Sequence, residues 1–231
     1  MSVLTHTEIR GIVFDLDGTL YVCDRFAAEI QDAAATYIAG VNGVSHAEAA
    51  MVMAATRLRL AEESGTVQTL SAVCMALGGS VQELHRFFER TLRPEAYLVR
   101  DERVVRLLEG LAEHFSLYIY TNNNRALTTR ITNYLGLEGL VCGIFTIDDS
   151  WRGKPDEGMV SRVLEEIGLS PNETLFVGDR YDVDLRVPEQ LGCPVYLSQN
   201  MEQLLRLGEL LIPSCLADTS AAPADPPAVH S

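Results

Sequence analysis

The sequence predicts an α/β protein: a Rossmann-like three-layer core around a parallel sheet, with a four-helix cap inserted after the first strand. Three observations predict it. From about residue 101 onward, short β-rich runs alternate with helical stripes, the pattern of right-handed strand–helix–strand crossovers. From Cys23 to Leu92 the chain carries only helical periodicity. Finally, polar groups follow directly on strand ends that lie far apart in sequence, and a parallel sheet brings such ends to one edge.

The first strand is Gly11 to Phe14, apolar and short, and the chain turns polar immediately after it. Asp15 and Asp17, two residues apart, point to the same side of an extended segment. Gly18 lets the backbone leave sharply. Helices follow. Phe26, Ile30, Ala33 and Tyr37 form one stripe, and Ala47, Ala50, Met51, Ala54, Leu58 and Ala61 another. Ser45 with Glu48, and Ser80 with Glu83, have capping-box spacing, and Gly40, Gly43, Gly65, Gly78 and Gly79 supply breaks. Arg93-Pro94 interrupts helicity, because proline pushes its predecessor out of the α region.

Beyond Asp101, Val104, Leu107, Leu108 and Leu111 predict a helix, and Leu117 to Tyr120 a strand that stops at Thr121-Asn122. A helix through Leu127, Ile131 and Leu135 closes at Gly136, and Ile144 to Ile147 reads as a strand. Met159 to Ile167 is a helix ended by Gly168, and Thr174 to Val177 a strand running into Gly178-Asp179. Leu185 to Leu191 predicts a helix shortened or kinked by Pro188, before a last strand, Val195 to Leu197, and a last helix, Met201 to Leu211. The expected domains are a core of 1–22 with 94–212, a cap of 23–93, and a disordered tail of 213–231 rich in Pro, Ala, Asp and Ser.

The chain has 231 residues and a net charge of −14. That balance argues against nucleic-acid polymers and anionic membranes as partners. No apolar run approaches the roughly 20 residues of a membrane span, and Met1 to Arg10 has no signal-peptide pattern. Cys23, Cys74, Cys142, Cys193 and Cys215 are scattered with no CxxC, as expected of a reduced cytoplasmic protein. The histidines (His6, His46, His85, His114, His230) form no metal-spaced pair and are expected mostly at the surface. No residue pattern assigns an oligomeric state.

The strand ends carry Asp15/Asp17, then Thr121-Asn122, then Gly178-Asp179 with Asp182 and Asp184 close behind, and Lys154-Pro155 precedes a helix. Any one of these alone reads as an exposed turn. Their convergence on one sheet edge reads as a site.

In order and spacing, Asp15-Leu16-Asp17-Gly18-Thr19-Leu20, Thr121-Asn122, Lys154-Pro155-Asp156 and Gly178-Asp179 with Asp184 resemble the four motifs of the haloacid dehalogenase superfamily, over about residues 8 to 211. The helical insert is similar to that superfamily's helical cap of the first type. The second Asp of the first motif resembles the phosphatase branch, and the order of parts looks most like its pyrimidine 5′-nucleotidase and phosphoglycolate phosphatase-like members. The resemblance implies a Mg²⁺-dependent phosphohydrolase cleaving a small phosphomonoester. In it, Asp15 would be the nucleophile. Asp17 would bind Mg²⁺ through its backbone carbonyl and act as general acid and base through its side chain, which asks for a pKa raised relative to Asp15. Asp179 would be a metal ligand, with Asp184 behind it, holding a metal-bound water or orienting Lys154. Thr121 and the Asn122 N–H would hold the phosphoryl group, and Lys154 would neutralise its charge and that of Asp15. A phosphomutase of the β-phosphoglucomutase type, or a non-catalytic binding protein on the same fold, stay open as alternatives.

Other polar residues carry blander expectations. Asp182 reads as a solvated loop residue, Arg180 and Tyr181 as pocket lining or surface, and Arg57 and Arg59 as a solvated helix face. Asn123, Asn124 and Arg125 read as helix-capping or substrate-contacting, with capping preferred for Asn124. Cys23 reads as a packing residue.

Overall fold

The computed structural model describes residues 9–212; the tail expected to be disordered, 213–231, lies outside the described residues. Strand β1 (Gly11–Phe14) is followed by helices α1 (Asp24–Asn42), α2 (His46–Ser64), α3 (Leu70–Ala76) and α4 (Val81–Thr91). Then come α5 (Glu102–Ala112), β2 (Ser116–Tyr120), α6 (Arg125–Leu135), β3 (Gly143–Phe145), α7 (Glu157–Ile167), β4 (Thr174–Gly178), α8 (Arg186–Gln190), β5 (Val195–Leu197) and α9 (Met201–Leu211). The strands are parallel, in the order β3-β2-β1-β4-β5.

Strand β1 is central because it is apolar on both faces. Phe14 sits in register with Ile119 on one side and Val177 on the other. Ile12 and Phe14 pack into one apolar layer with Leu108 of α5, Ile131 of α6 and Leu207 of α9. Val13 faces the opposite layer, with Met159 and Val163 of α7 and Val187 beyond. This two-residue alternation makes the three layers. Each large side chain fully buried there contributes roughly 1.5–3 kcal/mol.

Helices α1 to α4 join the first of these layers: Phe26, Ile38, Leu84 and Phe88 are buried in the same cluster as Ile12 and Phe14. The Ser45–Glu48 capping box is present in full at α2. At α4 only half of the expected box forms. Ser80 accepts from Glu83 N, but its own N–H donates to Tyr37 Oη at 2.9 Å instead. Tertiary contact outcompetes the local motif there.

Two elements differ from expectation at their ends. Strand β3 stops at Phe145, because Thr146 N donates to Asp149 Oδ2 at 2.6 Å and turns the chain into a short 3-10 segment. The helix expected from Leu185 starts earlier, as a π-helical turn over Tyr181–Leu185 that runs into α8. Pro188 lies in the first turn of α8, where a missing N–H costs little.

His85 on α4 is an exception to the mostly surface placement expected of the histidines: it is 3% exposed. Burial disfavours the imidazolium and pushes its pKa down from 6.5 to about 4. As pH falls below 6.5, the unfolded chain binds a proton that the folded chain refuses, so stability is lost until about pH 4, where both forms are protonated. We predict that this group costs about 2 kcal/mol between pH 7 and 5. Urea unfolding should show His85→Asn losing that much less than the wild type over the interval; equal losses would sink the assignment. Among the described residues, no helix is long and apolar enough to cross a membrane.

Candidate active site

The site is built where β1, β2 and β4 end. Asp15 N extends the ladder to Val177 O at 2.8 Å, and Thr121 N does the same toward Phe145 O at 3.0 Å. The chain therefore stays rigidly paired up to the first polar residue of each loop. After Asp17, Gly18 turns at a φ of +89°, and a Cβ there would lie 2.6 Å from Asp179 Oδ2. Glycine is required on both counts. We expect Gly18→Ala to cost about 1–3 kcal/mol, from left-handed strain and a displaced Asp179. Denaturant unfolding within 0.5 kcal/mol of wild type (about the scatter of a neutral surface change) would show that the loop relaxes freely.

Lys154 is the only lysine among the 18 Lys and Arg residues of the sequence; the others are arginines. It is buried, and its ammonium group donates to Asp15 Oδ1 at 2.5 Å, Asp184 Oδ1 at 2.7 Å and the Tyr120 carbonyl at 2.9 Å. Three N–H donors meet three acceptors. Burial pushes this lysine's pKa down, but Asp15 and Asp184 together outweigh that and hold the ammonium charged. Burial also dominates at Asp15, whose carboxyl is pushed up to about 7 against the pull of Lys154.

The loop bearing Lys154 is fixed from both sides. Asn122 Oδ1 accepts from Lys154 N at 2.7 Å, and Asp156 caps α7 by accepting from Met159 N at 2.8 Å. Asp184 reaches the lysine because of the π-turn, and Gly178 leaves room for it: a Cβ there would stand 2.4 Å from Asp184 Cβ.

Asp17 turns away from this triad. Its carboxylate accepts from Tyr21 Oη, from Asn123 Nδ2 at 2.7 Å and from Thr121 Oγ1 at 3.3 Å. Nothing local in the sequence marks Tyr21 as a partner of Asp17, and Asn123, a candidate for helix capping or substrate contact, is such a partner as well. Asn124 is the cap of α6, accepting from Leu127 N, and its Nδ2 also donates to the His85 carbonyl at 2.9 Å, tying α4 to the edge of the site. Arg125 instead bonds Asp149. Asp182 lies at the surface, 4.0 Å from Arg186, while Arg59 pairs with exposed Glu63. Arg57 donates to Gln31 Oε1 at 2.7 Å, and Cys23 Sγ contacts the Tyr97 carbonyl.

One carboxylate oxygen from each of Asp15, Asp179 and Asp184 lies within 4.8 Å of the others. Both Asp184 oxygens are committed, one to Lys154 and one to Arg180 N. Asp179 Oδ1, by contrast, is buried without a hydrogen-bond partner, and burial pushes this carboxyl's pKa up. An acceptor with no hydrogen bond among all-oxygen donors fits a hard divalent cation, with Asp179 the free ligand, Asp15 beside it held by Lys154 and Thr19, and Asp184 behind them. A cavity of about 400 Å³ opens above, bounded by Asp17, Asn123 and Asp179 on the sheet side and by Phe26, Phe88 and His85 on the helical side.

Known proteins resemble this arrangement. A family model described as haloacid dehalogenase-like hydrolase matches residues 9–192. Glyceraldehyde 3-phosphate phosphatase of Methanocaldococcus jannaschii is 25% identical over 195 residues, 80% of this chain and 82% of that protein. A haloacid dehalogenase-type phosphatase from Thermococcus onnurineus superposes with a TM-score of 0.62 at 19% identity, over 88% of this chain and 98% of its own. A 2-haloacid dehalogenase from Pseudomonas syringae pv. tomato gives a TM-score of 0.56 at 20% identity, over 88% and 98%. Structural likeness thus reports the fold and leaves the chemistry to the side chains.

Proposed function

The chain belongs to the haloacid dehalogenase-like hydrolases, and from that premise we propose that it is a Mg²⁺-dependent phosphatase acting on a small phosphomonoester through an aspartyl-phosphate. The observation that carries this reading is the pairing of two differently held carboxylates at one strand end: Asp15 against Lys154, and Asp17 in the grip of Tyr21, Asn123 and Thr121. A nucleophile needs a fixed, charge-compensated oxygen; an acid–base group needs a separate position facing the leaving oxygen.

In this mechanism an Asp15 oxygen attacks phosphorus, and the bond to the leaving oxygen breaks as that oxygen takes a proton from Asp17. Water then attacks the aspartyl-phosphate, giving its proton to Asp17, and phosphate leaves as Asp15 regains its carboxylate. Lys154 holds Asp15 in place and offsets negative charge through the fixed field of its buried ammonium. Thr121 both fastens Asp17 and accepts from Asn123 N, so the phosphate-side loop and the acid–base group are positioned together. Magnesium, when bound, would neutralise phosphoryl charge; Asp15, Asp179 and the Asp17 carbonyl would hold it. Residues 23–93 would serve as a cap domain on a core of 1–22 and 94–212, with the Asn124–His85 bond as one of its fastenings.

The relative's name offers glyceraldehyde 3-phosphate as one member of the panel to try. Phosphate release should be measured across nucleotides, sugar phosphates, triose phosphates and phosphoglycolate. We expect release with Mg²⁺, loss on chelation, and recovery when Mg²⁺ is returned. Silence across the whole panel in Mg²⁺ would falsify the reading, and an isomerised ester in place of free phosphate would replace it with a mutase.

A further inference from the structure

The helical wall of the cavity says what kind of leaving group it takes. Among the described residues lining the cavity, the only Arg or Lys side chain is Arg180, which sits on the sheet side, 3.5 Å from Asp179 and 3.8 Å from Asp184. Asp17, Asp24 and Asp179 also line it, so the rest of the lining adds no positive side-chain charge around a leaving group. Arg57 stands one layer back, bonded to Gln31. A carboxylate on the far end of a substrate would meet no cation on the helical side, and an unpaired charge enclosed there is costly.

What the wall offers instead is a neutral polar pair set among apolar rings. Ser71 Oγ lies 3.4 Å from His85 Nε2, and the His85 ring packs edge-on against Phe88. Both residues are buried and both line the cavity. His85 Nδ1 is buried with no hydrogen-bond partner. Because burial keeps this imidazole uncharged near neutral pH, it donates or accepts without adding charge. A buried polar atom left unpaired needs an explanation, and a ligand hydroxyl or carbonyl supplies one.

We propose that His85, with Ser71, is a specificity-determining group that selects phosphomonoesters whose leaving group is uncharged and carries a hydroxyl or carbonyl, and that leaving groups bearing a carboxylate are disfavoured. This rests on the phosphatase reading. Polar discrimination of this kind is strong because a buried group is left unpaired by the wrong substrate.

The test compares kcat/KM for glycerol 3-phosphate, glyceraldehyde 3-phosphate, propyl phosphate and phosphoglycolate at saturating Mg²⁺. The wild type should prefer the first two over both others by about tenfold or more. His85→Ala should shrink the preference for glycerol 3-phosphate over propyl phosphate roughly three- to tenfold, mainly through KM, and His85→Asn should restore part of it. Ser71→Ala, the smaller change, should shrink it in the same direction, which guards against a variant that merely folds poorly. A wild type preferring phosphoglycolate overturns the proposal, as does a ratio that neither His85→Ala nor Ser71→Ala moves, and in either case the phosphatase reading stands. Failure to hydrolyse any ester overturns both.

Discussion

Asp15→Asn is expected to lower kcat by about 10⁴-fold or more while leaving stability within about 1 kcal/mol of wild type. The two halves of that prediction have separate causes. The amide cannot attack phosphorus, so the covalent intermediate is lost. Its Oδ1 can nevertheless accept the bond from Lys154, and Asp184 still pairs the ammonium. The variant also removes a buried carboxylate whose charge burial disfavours. Phosphate release and urea unfolding measure the two halves. Trapping of acid-stable phosphate on the wild-type protein, absent from the variant, would locate the intermediate. Retained turnover would move the nucleophile elsewhere.

Lys154→Met should be worse for the protein as a whole. It strips the shared cation from two buried carboxylates and leaves the Tyr120 carbonyl without its donor. Removing one partner of such a buried network costs about 3–5 kcal/mol. Turnover should fall by roughly 10²–10³-fold, the scale of a lost electrostatic group. Lys154→Arg should not rescue it. A guanidinium presents five donors in a flat fork, whereas this site offers three acceptors to a compact ammonium. Full activity in the Arg variant would mean that charge alone matters. A Met variant unfolding within 1 kcal/mol of wild type (well under the cost of breaking a buried pair) would mean that Asp15 and Asp184 take up protons at little cost.

Much of this was legible in the chain because strand ends announce themselves: apolar runs stop and residues able to bind phosphate or metal begin. Asp15, Asp17, Thr121 and Asp179 follow those ends, where Thr121 bonds Asp17 and where Lys154 and Asp184, from the loop and turn that follow, meet Asp15. What stayed hidden depends on partners distant in sequence. Asn123 reaches Asp17 across 106 positions, and no local pattern marks it. His85 reads as an ordinary helix residue until Phe88, Ser71 and the Asn124 amide close around it. The early start of the helix before Pro188 goes with the bond between Asp184 and Lys154, thirty positions away, which a propensity reading does not contain. A single lysine in 231 residues, placed among the motif residues, marks a position where arginine did not serve.

That solitary lysine makes the molecule its own reporter of opening. In the folded chain its amine is enclosed and fully hydrogen-bonded, so an acylating reagent reaches it only when the strand edge comes apart. Each acyl group found at Lys154 then marks a molecule that has opened at the heart of the sheet, with no other lysine side chain to confuse the tally. Isotopic enrichment of lysine alone would likewise place a single ε-ammonium resonance in the spectrum, and its neighbours are the carboxylates of Asp15 and Asp184.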